Sequence, residues 1–241
     1  MEIKGKNALI TGGAKRIGRE IALRLAENKC NVIIHYNSSE EEAIKVKEEA
    51  ERYGVRAYTL KANLENIEEV LLLSENSLKL FGKIDILINN ASIYYPVPLE
   101  KITEEDVDRF YNVHVKAPLF LSKEIGKVMY QNREGRIINI ADYAALRPYP
   151  DYTPYTISKG AMLTLTRALA KEFAPYILVN AVLPGPIVPP EDLKDITIPL
   201  RKTLLKKWGG EKEVWKAVEY LIRTDFTTGA FIPVEGGRLI Y

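Results

Sequence analysis

The chain has 241 residues, with 34 basic against 32 acidic side chains, one cysteine and 46% hydrophobic residues. A formal charge of +2 leaves no strong field toward nucleic acid or a membrane surface, and a single thiol excludes an internal disulfide framework. No apolar run approaches the ~18 residues of a membrane helix. The N-terminal stretch MEIKGKNALITGG lacks the apolar segment of a signal peptide, so the expectation is a cytoplasmic protein of one domain over 1–241, long enough to bury its own core.

Short apolar runs alternate with longer amphipathic stretches. In chain order they predict a strand over 7–11 and a helix over 17–28, then a strand over 31–35 and a helix over 39–53. A strand over 56–61 and a helix over 66–81 follow, then a strand over 84–89 and one long helix over 103–131. A strand over 136–140, a helix over 154–174 and a strand over 177–183 complete the alternation. The runs are continuous rather than alternating, as strands buried on both faces should be. Repeated β-then-α order predicts an α/β fold, a single Rossmann-type doubly wound parallel sheet of about seven strands with helices on both faces. The pattern loosens after Pro184. The stretch 184–208 holds five prolines, which predicts a loop over about 186–208 that is either a lid on a site or a solvated insertion. A helix over 211–224 and a last strand over 230–234 close the chain.

The first strand opens into Thr11-Gly12-Gly13-Ala14-Lys15-Arg16-Ile17-Gly18 and then a helix. Small residues at such a turn let backbone approach a pyrophosphate, and the helix N-terminus offers it unpaired N–H groups. No Gly-Lys-Ser/Thr follows, which excludes the phosphate loop of a nucleoside triphosphatase. On the first βα unit the turn points to a dinucleotide rather than to a bland tight turn. A carboxylate ending the second strand would hold the ribose 2′-hydroxyl of NAD and repel a 2′-phosphate. Here the chain reads His35-Tyr36-Asn37-Ser38-Ser39, with no acid before Glu40. Lys15 and Arg16 bring positive charge, and Ser38 and Ser39 bring hydroxyl donors, so NADP(H) is expected. NAD is the alternative if both cations only face water.

These residues resemble the short-chain dehydrogenase/reductase family over nearly the whole chain. Thr11-Gly12-x-x-x-Arg16-x-Gly18 is similar to its cofactor turn, Asn89-Asn90-Ala91-Ser92 to its motif after the fourth strand, and Tyr155-x-x-x-Lys159 to its catalytic pair. Pro184-Gly185 follows the sixth strand, and Thr228-Gly229 with Gly236-Gly237 resembles its C-terminal signature. A Tyr-x-x-x-Lys match alone carries nothing in a Lys-rich chain with 14 tyrosines, whereas five motifs in order on the right strand ends carry a good deal. The resemblance implies that Tyr155 donates a proton and that Lys159 holds the nicotinamide ribose. It places Asn63 and Leu64 near the adenine, and Tyr36, Asn90, Ala91, Ser92, Pro184, Gly185 and Ile187 along the cofactor. It also implies a homotetramer paired through long helices and C-terminal strands. One helical turn apart, the Lys159 ammonium is expected to lower the pKa of Tyr155.

Departures from the family narrow the substrate. The position thirteen before Tyr155, usually a serine, is Asp142, and its neighbour is Ala141. An ionised carboxylate only accepts hydrogen bonds, so it cannot stabilise a developing oxyanion. Reduction of a C=N bond puts a proton on nitrogen, which a partly protonated Asp142 would relay through Tyr155. The alternatives are a carbonyl reductase, such as a 3-oxoacyl-acyl-carrier-protein reductase, or an inactive NADP-binding regulatory protein. Asp at this place resembles the pteridine reductases and dihydromonapterin reductases. Arg16 in the turn, His35-Tyr36, and Asn90 through Leu99 agree, as does the tail Gly210–Val214 through Arg238. On that resemblance Ser92, Tyr94, Asp142 and Tyr155 bind substrate, with Tyr94 either stacked on a flat heterocycle or an exposed loop tyrosine. His114 stands where the family has a catalytic Asn, and is read either as a proton relay or as a structural histidine. Asn63 replaces the usual Asp and keeps a carbonyl acceptor. Cys30 reads as a packed residue, Trp208 and Trp215 as core or lid packing, and no metal is expected.

Overall fold

The computed structural model describes residues 1–190 and 195–241. Seven strands form one parallel sheet in the order β3-β2-β1-β4-β5-β6-β7. They are β1 (Asn7–Ile10), β2 (Asn31–Tyr36), β3 (Ala57–Lys61), β4 (Ile86–Asn89), β5 (Gly135–Ile140), β6 (Ile177–Pro184) and β7 (Phe231–Val234). The helices are α1 (Arg16–Glu27), α2 (Glu40–Glu51), α3 (Ile67–Phe81), α4 (Glu104–Tyr111), α5 (Ala117–Gln131), α6 (Thr153–Glu172), α7 (Ile198–Arg201) and α8 (Glu211–Arg223).

Successive strand residues feed opposite layers. Ala8, Ile10, Val32, Ile34, Ile86 and Ile88 pack with α1 and α8, while Leu9, Ile33, Leu87 and Ile137 pack with α3 and α5. Both layers need apolar side chains, which is why these strands read as continuous runs in the sequence. The chain steps outward from β1 to β3, then returns to lay β4 beside β1. That reversal opens a crevice at the carboxyl ends of β1 and β4, where ligands bind in open sheets of this kind.

Two expectations need correction. The long helix expected over 103–131 is α4 and α5 joined by a π turn at Asn112–Lys116. No glycine interrupts 104–117, and the Pro118 ring sits in the first turn of α5, where its missing N–H costs little. The expected loop over 186–208 is not wholly structureless, because it contains α7; its residues 191–194 lie outside the described residues. Among the described residues no helix is long and apolar enough to cross a membrane. Nor do any three His, Cys, Asp or Glu residues form a metal-holding group there.

Candidate active site

A cavity of about 780 Å³ lies along the carboxyl edge of the sheet. Every candidate residue named from the sequence lines it except His114. The site is therefore a convergence of separate strand ends, made by topology rather than by any local segment.

At one end is the glycine turn. Gly12 has φ +61, and a Cβ there would come within 2.9 Å of Ala91 Cα; one on Gly18 would come within 2.1 Å of the Gly12 carbonyl. Backbone thus runs against backbone with no room for side chains. Three polar residues fix it. The Asn90 amide donates to the Thr11 and Gly12 carbonyls at 2.9 and 3.0 Å, and the Thr11 hydroxyl accepts from the Asn90 and Ala91 N–H groups. The Gly12 N–H donates to His35 Nδ1 at 3.0 Å, so the ring proton is on Nε2, which donates to the Ala62 carbonyl at 3.0 Å. Burial pushes the His35 pKa down to about 4, so the imidazole stays neutral. The α1 N-terminus begins at Lys15 with no side-chain cap and no acid in its first turn, which leaves free N–H groups facing the cavity. A pyrophosphate fits such a cradle.

Arg16 has φ +49, a left-handed conformation that glycine takes more cheaply by roughly 1 kcal/mol. Its guanidinium offsets this by donating to the Val188 carbonyl at 2.8 Å and the Pro189 carbonyl at 3.4 Å, which ties the turn to the chain after β6. Lys15 pairs with Glu42 at 2.9 Å, both well exposed. Such a pair is worth little, so an incoming phosphate can compete for the ammonium. Tyr36, Asn37, Ser38 and Ser39 line the wall beside them, and Asn63 and Leu64 continue it.

At the other end Asp142, Tyr155 and Lys159 meet. The Tyr155 hydroxyl donates to Asp142 Oδ2 at 2.9 Å, while Oδ1 accepts the Ala144 N–H at 2.7 Å and so caps the short turn Tyr143–Ala145. Asp142 keeps some surface toward the cavity, but protein encloses the rest. That desolvation pushes its carboxyl up to about 6, against the opposing pull of the Ala144 and Tyr155 bonds and the Lys159 and Arg238 charges.

Here a third expectation fails. Tyr155 is not made acidic by Lys159; burial and then the Asp142 charge hold it well above the ordinary phenol range. The physical reason is placement. Lys159 Nζ donates to the Ile140 carbonyl at 3.0 Å and lies 5.8 Å from the centre of the Tyr155 ring, over its face rather than at its hydroxyl. Burial lowers Lys159 itself to about 8, partly offset by Asp142. Tyr155 is therefore a neutral donor resting on a protonatable acid.

His114 is wholly buried, with both ring nitrogens hydrogen-bonded within the fold. Its Nε2 accepts the Ile93 N–H at 3.2 Å and lies 2.9 Å from the Ser92 hydroxyl, so the proton is on Nδ1, which donates to Ser158 Oγ at 2.8 Å. Ser158 in turn donates to the Tyr155 carbonyl at 2.7 Å. Burial and then the Lys159 charge hold its pKa well below the imidazole value. It ties the segment after β4 to α6 and makes no hydrogen bond to the Tyr155 hydroxyl or to Lys159. The π turn on which it sits carries that side chain inward, between the segment after β4 and α6.

Tyr94 lines the cavity with its ring backed by Tyr152, at 4.7 Å between centroids and 18° between planes. Sequence reasoning missed Tyr149, Arg238 and His35, and gave Trp208 a packing role. All four line the cavity, and Trp208 also anchors itself by donating to the Ile196 carbonyl at 3.2 Å. Arg238 lies 4.9 Å over the Tyr143 ring and donates to the Pro199 carbonyl of α7 at 2.6 Å. Only His35 was legible in advance, as a buried polar residue facing a glycine turn. Trp215 and Cys30 pack in the core as expected.

A family model described as short chain dehydrogenase matches residues 6–195. The chain is 33% identical to an L-rhamnose 1-dehydrogenase (NADP(+)) of Thermoplasma acidophilum, over 100% of this chain and 98% of that protein. It is 33% identical to a 3-oxoacyl-[acyl-carrier-protein] reductase of Staphylococcus epidermidis, over 96% and 98%. Among solved structures it is similar to FolM alternative dihydrofolate reductase 1 from Brucella canis, complexed with NADP. The TM-score is 0.92 and the identity 32%, covering 100% of this chain and 97% of that one.

Proposed function

The chain belongs to the short-chain dehydrogenase family, and on that premise we propose that it is an NADPH-dependent reductase of the pteridine reductase type, acting on the C=N bond of a dihydropterin or dihydrofolate. Gly12, Lys15 to Gly18 and Tyr36 to Ser39 would hold the pyrophosphate and the phosphorylated ribose. Asn63 and Leu64 would take the adenine, and Asn90 to Ser92, Lys159, Pro184, Gly185 and Ile187 the nicotinamide end. The similar structure from Brucella canis is complexed with NADP, and the Thermoplasma relative is an NADP(+) dehydrogenase, which supports this reading of the cofactor. When bound, the reduced nicotinamide supplies a hydride.

The observation that carries the substrate is the Tyr155–Asp142 pair, 2.9 Å apart, with an acid poised near 6 where the family has a serine. C=N reduction needs one proton on nitrogen. Tyr155 gives it, and the protonated form of Asp142 replaces it across the existing hydrogen bond. At pH 7 about one carboxyl in ten carries that proton. Lys159 stays on the Ile140 carbonyl and keeps a positive charge beneath the ring, and Tyr94 offers an aromatic wall. The relatives include a sugar dehydrogenase, a ketoacyl reductase and a dihydrofolate reductase, so family membership leaves the substrate open, and Asp142 is what favours the C=N reading.

Asp142→Ser is the test. A C=N substrate predicts at least a tenfold loss of kcat on 7,8-dihydrobiopterin with no gain on an acetoacetyl thioester. A rise on the thioester instead would favour the carbonyl reductase reading. We also propose a homotetramer, which would cover the exposed apolar residues Val107, Ile157 and Phe226; light scattering gives the mass directly.

A further inference from the structure

Two loops meet across the mouth of the cavity, the segment 91–98 after β4 and the segment 146–152 before α6. They are joined twice. The Val97 N–H donates to the Asp151 carbonyl at 2.6 Å, and the Tyr94 and Tyr149 hydroxyls lie 3.2 Å apart. Asp151 has φ +65, a left-handed conformation that a non-glycine residue holds only when its surroundings fix it.

The two rings are supported from behind. Tyr94 stacks on Tyr152 and meets Tyr155 edge-on, with centroids 5.0 Å apart. Tyr149 lies near-parallel to Tyr143 at 6.1 Å and edge-on to Tyr152 at 5.0 Å. Both also line the cavity that contains Asp142. Both phenols are protonated at neutral pH, and enclosure pushes Tyr149 further from ionisation. One O–H proton is used within the pair. The other proton and the remaining lone pairs can take further partners, Tyr152 among them for Tyr94, and both residues line the cavity.

We propose that Tyr149 is a specificity-determining residue whose hydroxyl, paired with that of Tyr94, hydrogen-bonds the donor–acceptor edge of a flat heterocyclic substrate. This rests on the reading of the site as a heterocycle C=N reductase. An amide-like ring edge satisfies the phenol pair, whereas an acyl chain offers nothing to the donor and acceptor sites that the two hydroxyls do not use on each other. A site built to hydrogen-bond its substrate discriminates strongly in this way. The pair works on binding. Proton delivery stays with Tyr155 and Asp142, which it does not touch by any hydrogen bond.

The test is Tyr149→Phe, which keeps the ring and its packing and removes one oxygen. The expected result is a KM for 7,8-dihydrobiopterin raised about tenfold with kcat within about twofold. KM for NADPH and for an acetoacetyl thioester should not move. Tyr94→Phe should do the same, and the double variant should lose little more than either single one. Equal effects on both substrates, a fall in kcat alone, or no change would overturn the proposal. Binding of the dihydropterin, read by quenching of tryptophan fluorescence in wild type and Tyr149→Phe, separates the two readings. If wild type binds but does not reduce the pterin, the C=N reductase reading falls while tenfold weaker binding by the variant upholds the phenol pair. If wild type reduces the pterin and the variant binds it equally well, only the phenol pair falls. Absence of binding to wild type overturns both.

Discussion

Replacing Asp142 by Asn should stabilise the protein at neutral pH. An unfolded Asp ionises near 3.9, while in the fold the carboxyl is pushed up to about 6. Between those values the native state binds more protons than the unfolded one, so stability falls as pH rises through that window. Above it the cost is complete. A difference of about 2 units at 1.36 kcal/mol each gives about 3 kcal/mol at pH 7, a ceiling because cavity water relieves part of it. Asn caps a turn nearly as well as Asp, so the Ala144 N–H keeps its acceptor, and the amide N–H₂ can donate to the Tyr155 oxygen. Thermal unfolding of both forms from pH 4 to 7 is the assay. At about 2–4 °C per kcal/mol for a chain of this size, the variant should gain several degrees at pH 7 and almost nothing at pH 4. Its kcat on a dihydropterin should fall at least tenfold near pH 6, where about half of the wild-type carboxyls are protonated, and by less at pH 8. A stability difference that does not change with pH would refute the reasoning, because the carboxyl would then carry no raised pKa.

The remaining predictions concern the turn, the cofactor and the buried histidine. Gly18→Ala places a Cβ 2.1 Å from the Gly12 carbonyl, so NADPH affinity measured by fluorescence titration should fall at least tenfold. Asn37→Asp puts a carboxylate after β2 near Lys15, and should raise KM for NADPH at least tenfold while lowering it for NADH. Both histidines are held neutral in the fold; beside a similar loss from His35, His114 should cost the wild type up to about 1.4 kcal/mol per pH unit as pH falls below ~6.5, where the unfolded imidazole takes a proton. His114→Asn removes that loss, and urea unfolding at pH 7 and pH 5.5 should show a smaller drop for the variant.

Much of the fold was readable because its physics is local. Strands buried on both faces must be apolar throughout, and 31–35 or 177–183 can be recognised without knowing their neighbours. The periodicity did not show the break in the long helix. A π turn at Asn112–Lys116 needs no glycine or proline, only tertiary packing that draws His114 inward. In the site, residues that touch the cradle through backbone geometry left a spacing in the sequence. Residues that reach it from distant loops left none. Tyr149 is one tyrosine among 14, and contacts between distant loops, such as the Val97–Asp151 bond, bring its loop to the site. Arg238 reaches Tyr143 and α7 from beyond β7. The Tyr155 pKa was misjudged for a similar reason, since helical spacing gave its nearness to Lys159 but neither the burial of the phenol nor the Asp142 charge, which set the sign of the shift.

The most direct measurement is the rate of NADPH oxidation with 7,8-dihydrobiopterin beside an acetoacetyl thioester at matched concentration. If Asp142 and Tyr155 are arranged to protonate nitrogen, the pterin is reduced faster, and its rate falls as pH rises from about 6 to 8 and the carboxyl ionises. Faster turnover of the thioester, rising or flat over the same range, would contradict the account. It would mean that the carboxylate is tolerated in carbonyl chemistry.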